Sequence, residues 1–342
     1  MLAILEFTNV RRTSMRVKVL SMLFSAIVLA FAAQARAACT PTGFTRDSIN
    51  LTAALINPVG TVSTSVNAIG CNIGVYYAPG STGEVKGAEI FGANYFGVVA
   101  DGSSGSTSVD VLNSVIHNIG ESPLNGSQHG VAVYYAAFND SGSASGKVSG
   151  NHIYSYQKGG IVINGPGSNV LVQNNSLEGE GPVAYIAQNG IQFGYGSSGS
   201  ALKNTVTGHS YKGTSTVSGG IIVVGGAFYG SPLTTGVQIV QNLVTDNDIG
   251  VFLSNLEADQ SAPLDQTNVK VVNNTISNSA LTNNFGGFGY QAGVSDVGNN
   301  DKIIANKISG NGYDPAVNLT AYTVFIDADV SFTNRPKVHA NK

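Results

Sequence analysis

Two short motifs take turns along this chain, and their alternation constrains its fold more than any other feature. One motif is Asn, any residue, then a branched aliphatic. It reads Val-Leu-Asn113-Ser-Val115, Ser-Gly-Asn151-His-Ile153 and Gln-Asn-Asn175-Ser-Leu177, and recurs at Asn204, Asn242, Asn274 and Asn306. The other is Gly before an aliphatic residue, at Gly97, Gly130, Gly160, Gly190, Gly220, Gly250 and Gly293. Each motif opens a short apolar run with period-two alternation, which reads as a strand. Strands this short cannot bury their inward side chains alone; stacked coils give a continuous core. Asn tolerates left-handed backbone and bonds nearby main chain, so stacked copies are expected to form a ladder at a tight bend. Gly allows a second bend. The strands keep their form while the stretches between them vary in length, which places loops at the corners of the coils.

The expected fold is therefore all-β: a single-stranded right-handed parallel β-helix (solenoid) over residues 84–330. Composition agrees once the pattern is considered. Gly supplies 43 of 342 residues and charged residues only 11%, yet 42% are hydrophobic and they are patterned. A β-propeller would need longer repeats. A sandwich would not reuse one Asn signature, and a left-handed β-helix would show strict hexapeptides.

The segments VSGNHIYSY…GGIVI, VQNNSLEG…NGIQF and VVNNTISN…AGVSD resemble the repeats of the pectin-lyase-like superfamily, across roughly residues 84–330. The resemblance implies a pectin-lyase-like right-handed β-helix. It leaves function open among polysaccharide lyases, glycoside hydrolases, epimerases, tailspikes and non-catalytic surface proteins. The polygalacturonase-like motifs are absent: Gln128-His129-Gly130 and Gly208-His209-Ser210 do not match, and no Asp-Asp pair occurs. After Ala38 the only arginines are Arg46 and Arg335, outside the central coils, which disfavours an Arg-dependent lyase and leaves a Lys-dependent one. The epimerase Asp-Pro-His core is not completed, since Asp314-Pro315 is followed by Ala316.

At the N-terminus, Arg16 and Lys18 precede an apolar run to about Ala33 and then Ala35-Arg36-Ala37. This reads as a secretory signal peptide behind an upstream extension, together residues 1–37, with cleavage before Ala38. The run is short for a membrane span, so no membrane insertion is expected after cleavage. The expected location is secreted, periplasmic or cell surface. There Cys39 and Cys71, the only cysteines, are expected to form a disulfide in a capping segment, residues 38–83. Residues 331–342 are expected to be a polar tail. Net charge is −3, with basic residues concentrated before Ala38, so there is no footprint for nucleic acid.

One polar column could carry chemistry. Two residues before each Gly motif stand Gln128, Lys158, Gln188, Ser218, Asp248 and Gln291. Stacked coils would set them about 4.8 Å apart. Lys158 is the expected catalytic base for a lyase-like step on a uronate, with His129 beside it as a second catalytic candidate. Gln128, Gln188, Tyr156, Tyr185 and Tyr195 are the expected substrate-binding residues. The same column reads more simply as a row of solvated corners. Asp246 and Asp248 offer oxygen ligands for Ca²⁺, although no cofactor is required by the fold. The outward positions Ala132, Val162, Gln192, Ile222 and Phe252 are largely apolar, fit to be covered by the loops 134–146, 225–235 and 254–268 or by another chain. The chain has no Trp, the strongest stacking residue for a sugar ring. The functional expectation is a secreted β-helix that binds or acts on a polysaccharide; the alternative is a non-catalytic surface, adhesin or structural β-helix.

Overall fold

The computed structural model describes residues 38–138, 142–213, 216–282, 290–326 and 337–339. The expected signal peptide lies outside them. From Thr61 onward the chain visits three sheets in rotation, so that every third strand is a neighbour. Among the described residues, sheet I has eleven strands, sheet II ten and sheet III nine. All pairings between successive coils are parallel; in sheet I, for example, Val131–Ala136 pairs with Gly159–Asn164, and that strand with Asn189–Gly194.

Register turns the motif pattern into interior columns. In sheet I, Val133, Ile161, Ile191, Ile221, Val251 and Val294 stack and are buried. In sheet III, Ile116, Ile153, Leu177, Val206, Val244 and Ile276 do the same. Both columns belong to one continuous core cluster. Burying an aliphatic side chain of this size contributes about 1.5–3 kcal/mol, so a column of them dominates the stability of the coil stack.

The Asn ladder is present, with one seat different from expectation. Each ladder amide donates from Nδ2 to Oδ1 of the next: Asn151 to Asn175, Asn175 to Asn204, Asn204 to Asn242, Asn242 to Asn274 and Asn274 to Asn306, at 2.9–3.0 Å. The first seat belongs to Ser114, whose backbone N–H donates to Asn151 Oδ1; Asn113 stands one residue earlier. The left-handed residue is likewise the one before the ladder, not the ladder Asn. Asn113, Gly150, Asn174, Lys203, Gln241, Asn273 and Ala305 all have positive φ.

The Gly column also shifts in one coil. Gly160, Gly190, Gly220, Gly250 and Gly293 align, but their partner in the strand Val131–Ala136 is Ala132. Ala132 is therefore interior rather than outward. A Cβ on Gly160 would lie 2.5 Å from Leu177 Cδ2 and 2.7 Å from the Gly190 carbonyl, which explains the preference for glycine there. Gly130 sits in the preceding loop, and its even spacing with the others is coincidental.

The ends differ from the expected boundaries. Thr61–Val62 already pairs in parallel with Thr82–Lys86, so the first coil begins inside the segment assigned to the cap. What precedes it is an antiparallel hairpin, Thr40–Arg46 with Ile49–Ile56. The Cys39–Cys71 disulfide ties this hairpin to the first coil, and Phe44 packs near Tyr76 and Phe96. At the other end, Lys337–His339 pairs with Lys302–Ile304, so part of the expected tail is strand.

Candidate functional site

The outward face of sheet I carries a cleft of about 670 Å³. Its floor is built by period-two alternation: Tyr134, Val162 and Gln192 point outward between inward neighbours and stack in one column. Phe96 and Val131 continue the floor. Asn164, which ends its strand, accepts a hydrogen bond from Gln192 Nε2 at 3.0 Å. The walls come from corner loops that supply Phe138, Tyr195, Tyr229 to Pro232, and Gln128 with His129. The N-terminal hairpin folds back to bring Arg46 to the rim.

Three groups give the cleft its electrostatics. Lys158 is half-buried at the wall, its Nζ donating to the Ala187 carbonyl at 3.0 Å. Burial pushes its pKa below the ordinary lysine value. His129 is stacked on Tyr95 with ring centroids 3.9 Å apart, and its Nε2 bonds Glu121 at 2.7 Å. Arg46 is exposed. No carboxylate is among the described residues lining the cleft. Burial raises the phenols of Tyr134 and Tyr229, so both are hydroxyl donors at any ordinary pH. Tyr229 is fixed by a 2.7 Å bond to Ser254.

Of the expected site residues, the structure brings Gln128, His129, Lys158 and Tyr195 together at this cleft. Tyr185 is exposed on the corner loop that precedes Gln188 and does not line it. Tyr156 is interior, where its hydroxyl bonds His209 Nε2; an inward seat in its strand removes it from any ligand. Gln188 is also wholly buried. Its Oε1 accepts from the Glu180 N–H and its Nε2 donates to the Tyr156 carbonyl, so it anchors the loop between them.

That behaviour extends along the column. Lys158, Gln188, Ser218, Asp248 and Gln291 are in register, with Gly130 rather than Gln128 beside Lys158. Past Lys158 they are buried, not solvated. Asp248 accepts from the Ser210 and Thr282 hydroxyls and from the Tyr211 and Ser218 N–H groups, so both its oxygens are fully used. Asp246, two residues away, is exposed and bonds Ser279. The two carboxylates face different surroundings and do not converge on one ion.

Sequence reasoning missed Arg46, Tyr134, Asn164 and Tyr229. Tyr134 becomes visible once its strand is read two residues out of step with Gly130. Arg46 carries no local signal, because the hairpin that delivers it precedes the repeats. A second cavity, about 710 Å³, is lined by Asn94, Glu121, Ser155 and Glu180 among others. Glu121 lines that cavity and bonds His129, which lines the cleft.

No family model matches the chain, and no curated protein matches it by sequence. Solved structures do. The Dettilon tailspike protein matches at a TM-score of 0.50 and 14% identity, over 84% of this chain and 56% of that one. DFA-IIIase from Arthrobacter chlorophenolicus A6, without its lid, matches at 0.44 and 12%, over 75% and 53%. The GH136 lacto-N-biosidase from Eubacterium ramulus matches at 0.44 and 12%, over 78% and 51%. This chain spans about half the length of each of these structures. Likeness at such identity speaks to fold alone. With the three parallel sheets it defines the chain as a right-handed parallel β-helix.

Proposed function

We propose that the cleft on sheet I binds an acidic polysaccharide segment. The observation that carries this reading is charge. In a chain of net charge −3, the described lining holds Arg46 and Lys158 and no carboxylate, while its one histidine, His129, is already bonded to Glu121 behind the wall. Cations gathered in a low-dielectric concavity favour an anionic ligand. Tyr195 and Tyr229 add rings and hydroxyls of the kind that grip sugars. A secreted location would put such a cleft in contact with polymers outside the cell.

Binding is the reading, and lyase chemistry an extension of it. Lys158 has the lowered basicity a general base uses, and an anionic sugar bound beside Arg46 would have its carboxylate neutralised. A two-carboxylate hydrolase mechanism finds no support in this lining. The test is retention of the protein on uronate polymers against a neutral glucan, with ultraviolet absorbance followed for an unsaturated product. Retention on the uronate that falls roughly tenfold in Lys158→Ala or Arg46→Ala, and weakens in added salt, is the expected result. Equal retention of both variants, or none of the wild type on any acidic polymer, would remove this reading. Product absorbance lost in Lys158→Ala would add catalysis to it.

A further inference from the structure

Two interior columns carry an acid near the C-terminal end of the stack. The sheet I column Tyr135, Ile163, Phe193, Val223, Leu253 continues to Asp296. By the pairing of Lys270 with Lys302, Val269 is followed by Asp301. Asp296 is 1% exposed and Asp301 wholly buried. Asp301 Oδ1 is well served, accepting from the Val269 N–H at 2.7 Å and the Thr267 hydroxyl at 2.6 Å. Its Oδ2 has no donor, nor has Asn299 Oδ1, and neither oxygen of Asp296 accepts a well-formed hydrogen bond.

The two carboxyls share one corner. A Cβ on Gly298 would lie 2.1 Å from Asp301 Oδ2 and 3.0 Å from Asp296 Oδ1, so both carboxyls reach the same side of that glycine. Asn299 Nδ2 donates to the Pro263 and Leu264 carbonyls, which fixes which end of the amide is oxygen.

Buried carboxylates left without donors or counter-charge are costly. A single proton shared between the two acids would serve at most one oxygen of each. It would leave Asp296 with no other donor than the Gly298 N–H beside it, and Asn299 Oδ1 with none. A cation is satisfied by all of them. We propose that Asp296, Asn299 and Asp301 bind a hard divalent cation, Ca²⁺ by preference, at the C-terminal end of the β-helix interior. The donor set is all oxygen, as Ca²⁺ takes, and its loop setting suits an ion tolerant of irregular geometry better than Mg²⁺. Bound there, the ion would join the corner at 296–301 to the loop at 263–268. It shares no residue with the cleft and none with the expected Asp246–Asp248 pair. In its absence burial lifts Asp301 to about 6, and burial with the charge of Asp301 lifts Asp296 well above the carboxylate range, so a proton is the competitor.

The experiment uses the full chain, chelator-treated and dialysed, near neutral pH. Equilibrium dialysis should show one Ca²⁺ retained per chain, and saturating Ca²⁺ should raise Tm by at least about 3 °C. Asp296→Leu, which restores the residue of the preceding coil, should lose both effects; Asp246→Asn should keep both. Should Asp296→Leu fail to fold, Asn299→Ala is expected to weaken retention in its place. The proposal is overturned if the wild type retains neither Ca²⁺, Mg²⁺ nor Mn²⁺, the outcome a shared proton would give. A retained equivalent that survives in both variants overturns it as well.

Discussion

His209 has both ring nitrogens occupied inside the protein. Nδ1–H donates to Asn247 Oδ1 at 2.7 Å, and Nε2 accepts from the Tyr156 hydroxyl. Asn247 is oriented by donating its Nδ2 to the Thr245 and Val206 carbonyls, so the histidine tautomer is fixed in turn. A second ring proton would break the tyrosine bond and bury a charge. Burial accordingly lowers the pKa from 6.5 to about 4. The folded state holds this ring neutral while the unfolded chain binds a proton below about 6.5. The stability contribution is therefore complete above that value and is lost as pH falls toward 4, by roughly 3 kcal/mol in all. Urea midpoints of wild type and His209→Gln should converge as pH falls through this window. Parallel curves would mean that His209 carries none of the effect. Nothing in the sequence announces the pair, because 53 residues separate its members, and Tyr156 alone reads as a surface sugar contact.

At the level of the strand and its bend, the ladder amides do more than expected. Asn175 Oδ1 accepts from both the N–H and Nδ2 of Asn151, while its own Nδ2 serves the Val148 carbonyl and Asn204. Asn175→Ala would strand several buried groups, at about 1–3 kcal/mol each. Its cost should therefore match that of Ile161→Ala, about 2–5 kcal/mol for the cavity in the stacked core. Thr275→Ala on the exposed side of sheet III should change stability by less than about 0.5 kcal/mol. Denaturant midpoints decide it: Asn175→Ala close to Thr275→Ala would contradict this account of the ladder. The repeat was legible because strand period and bend chemistry are local. The two slips arose where residue identity misled. Ser114 fills a seat that Asn usually takes, Ala132 one that Gly usually takes, and in each case a neighbouring Asn or Gly drew the alignment aside.

For the whole molecule, the N-terminal hairpin replaces the neighbour that the first coil lacks. A terminal coil presents an open strand edge, and solenoids need it covered. The disulfide across a separation of 32 residues holds that cover in place. Closing a loop of this length stabilises by about 3–4 kcal/mol in the chain-entropy account. The pair of Cys39→Ser and Cys71→Ser should lower the denaturation midpoint accordingly, and an unchanged midpoint would show that the hairpin holds without the link. The cap, in turn, explains why the cleft was only half legible. Lys158, His129, Gln128 and Tyr195 sit on or beside repeats, whereas Arg46 arrives from a segment with no repeat at all. A last consequence follows from the way the ladder amides are threaded. Every rung from Asn151 to Asn306 passes its hydrogen the same way, toward the C-terminus. Turning one amide over would set nitrogen against nitrogen below it and oxygen against oxygen above. The sense of the file is thus a collective property, fixed once for all its members, and their polarisations reinforce one another along the axis.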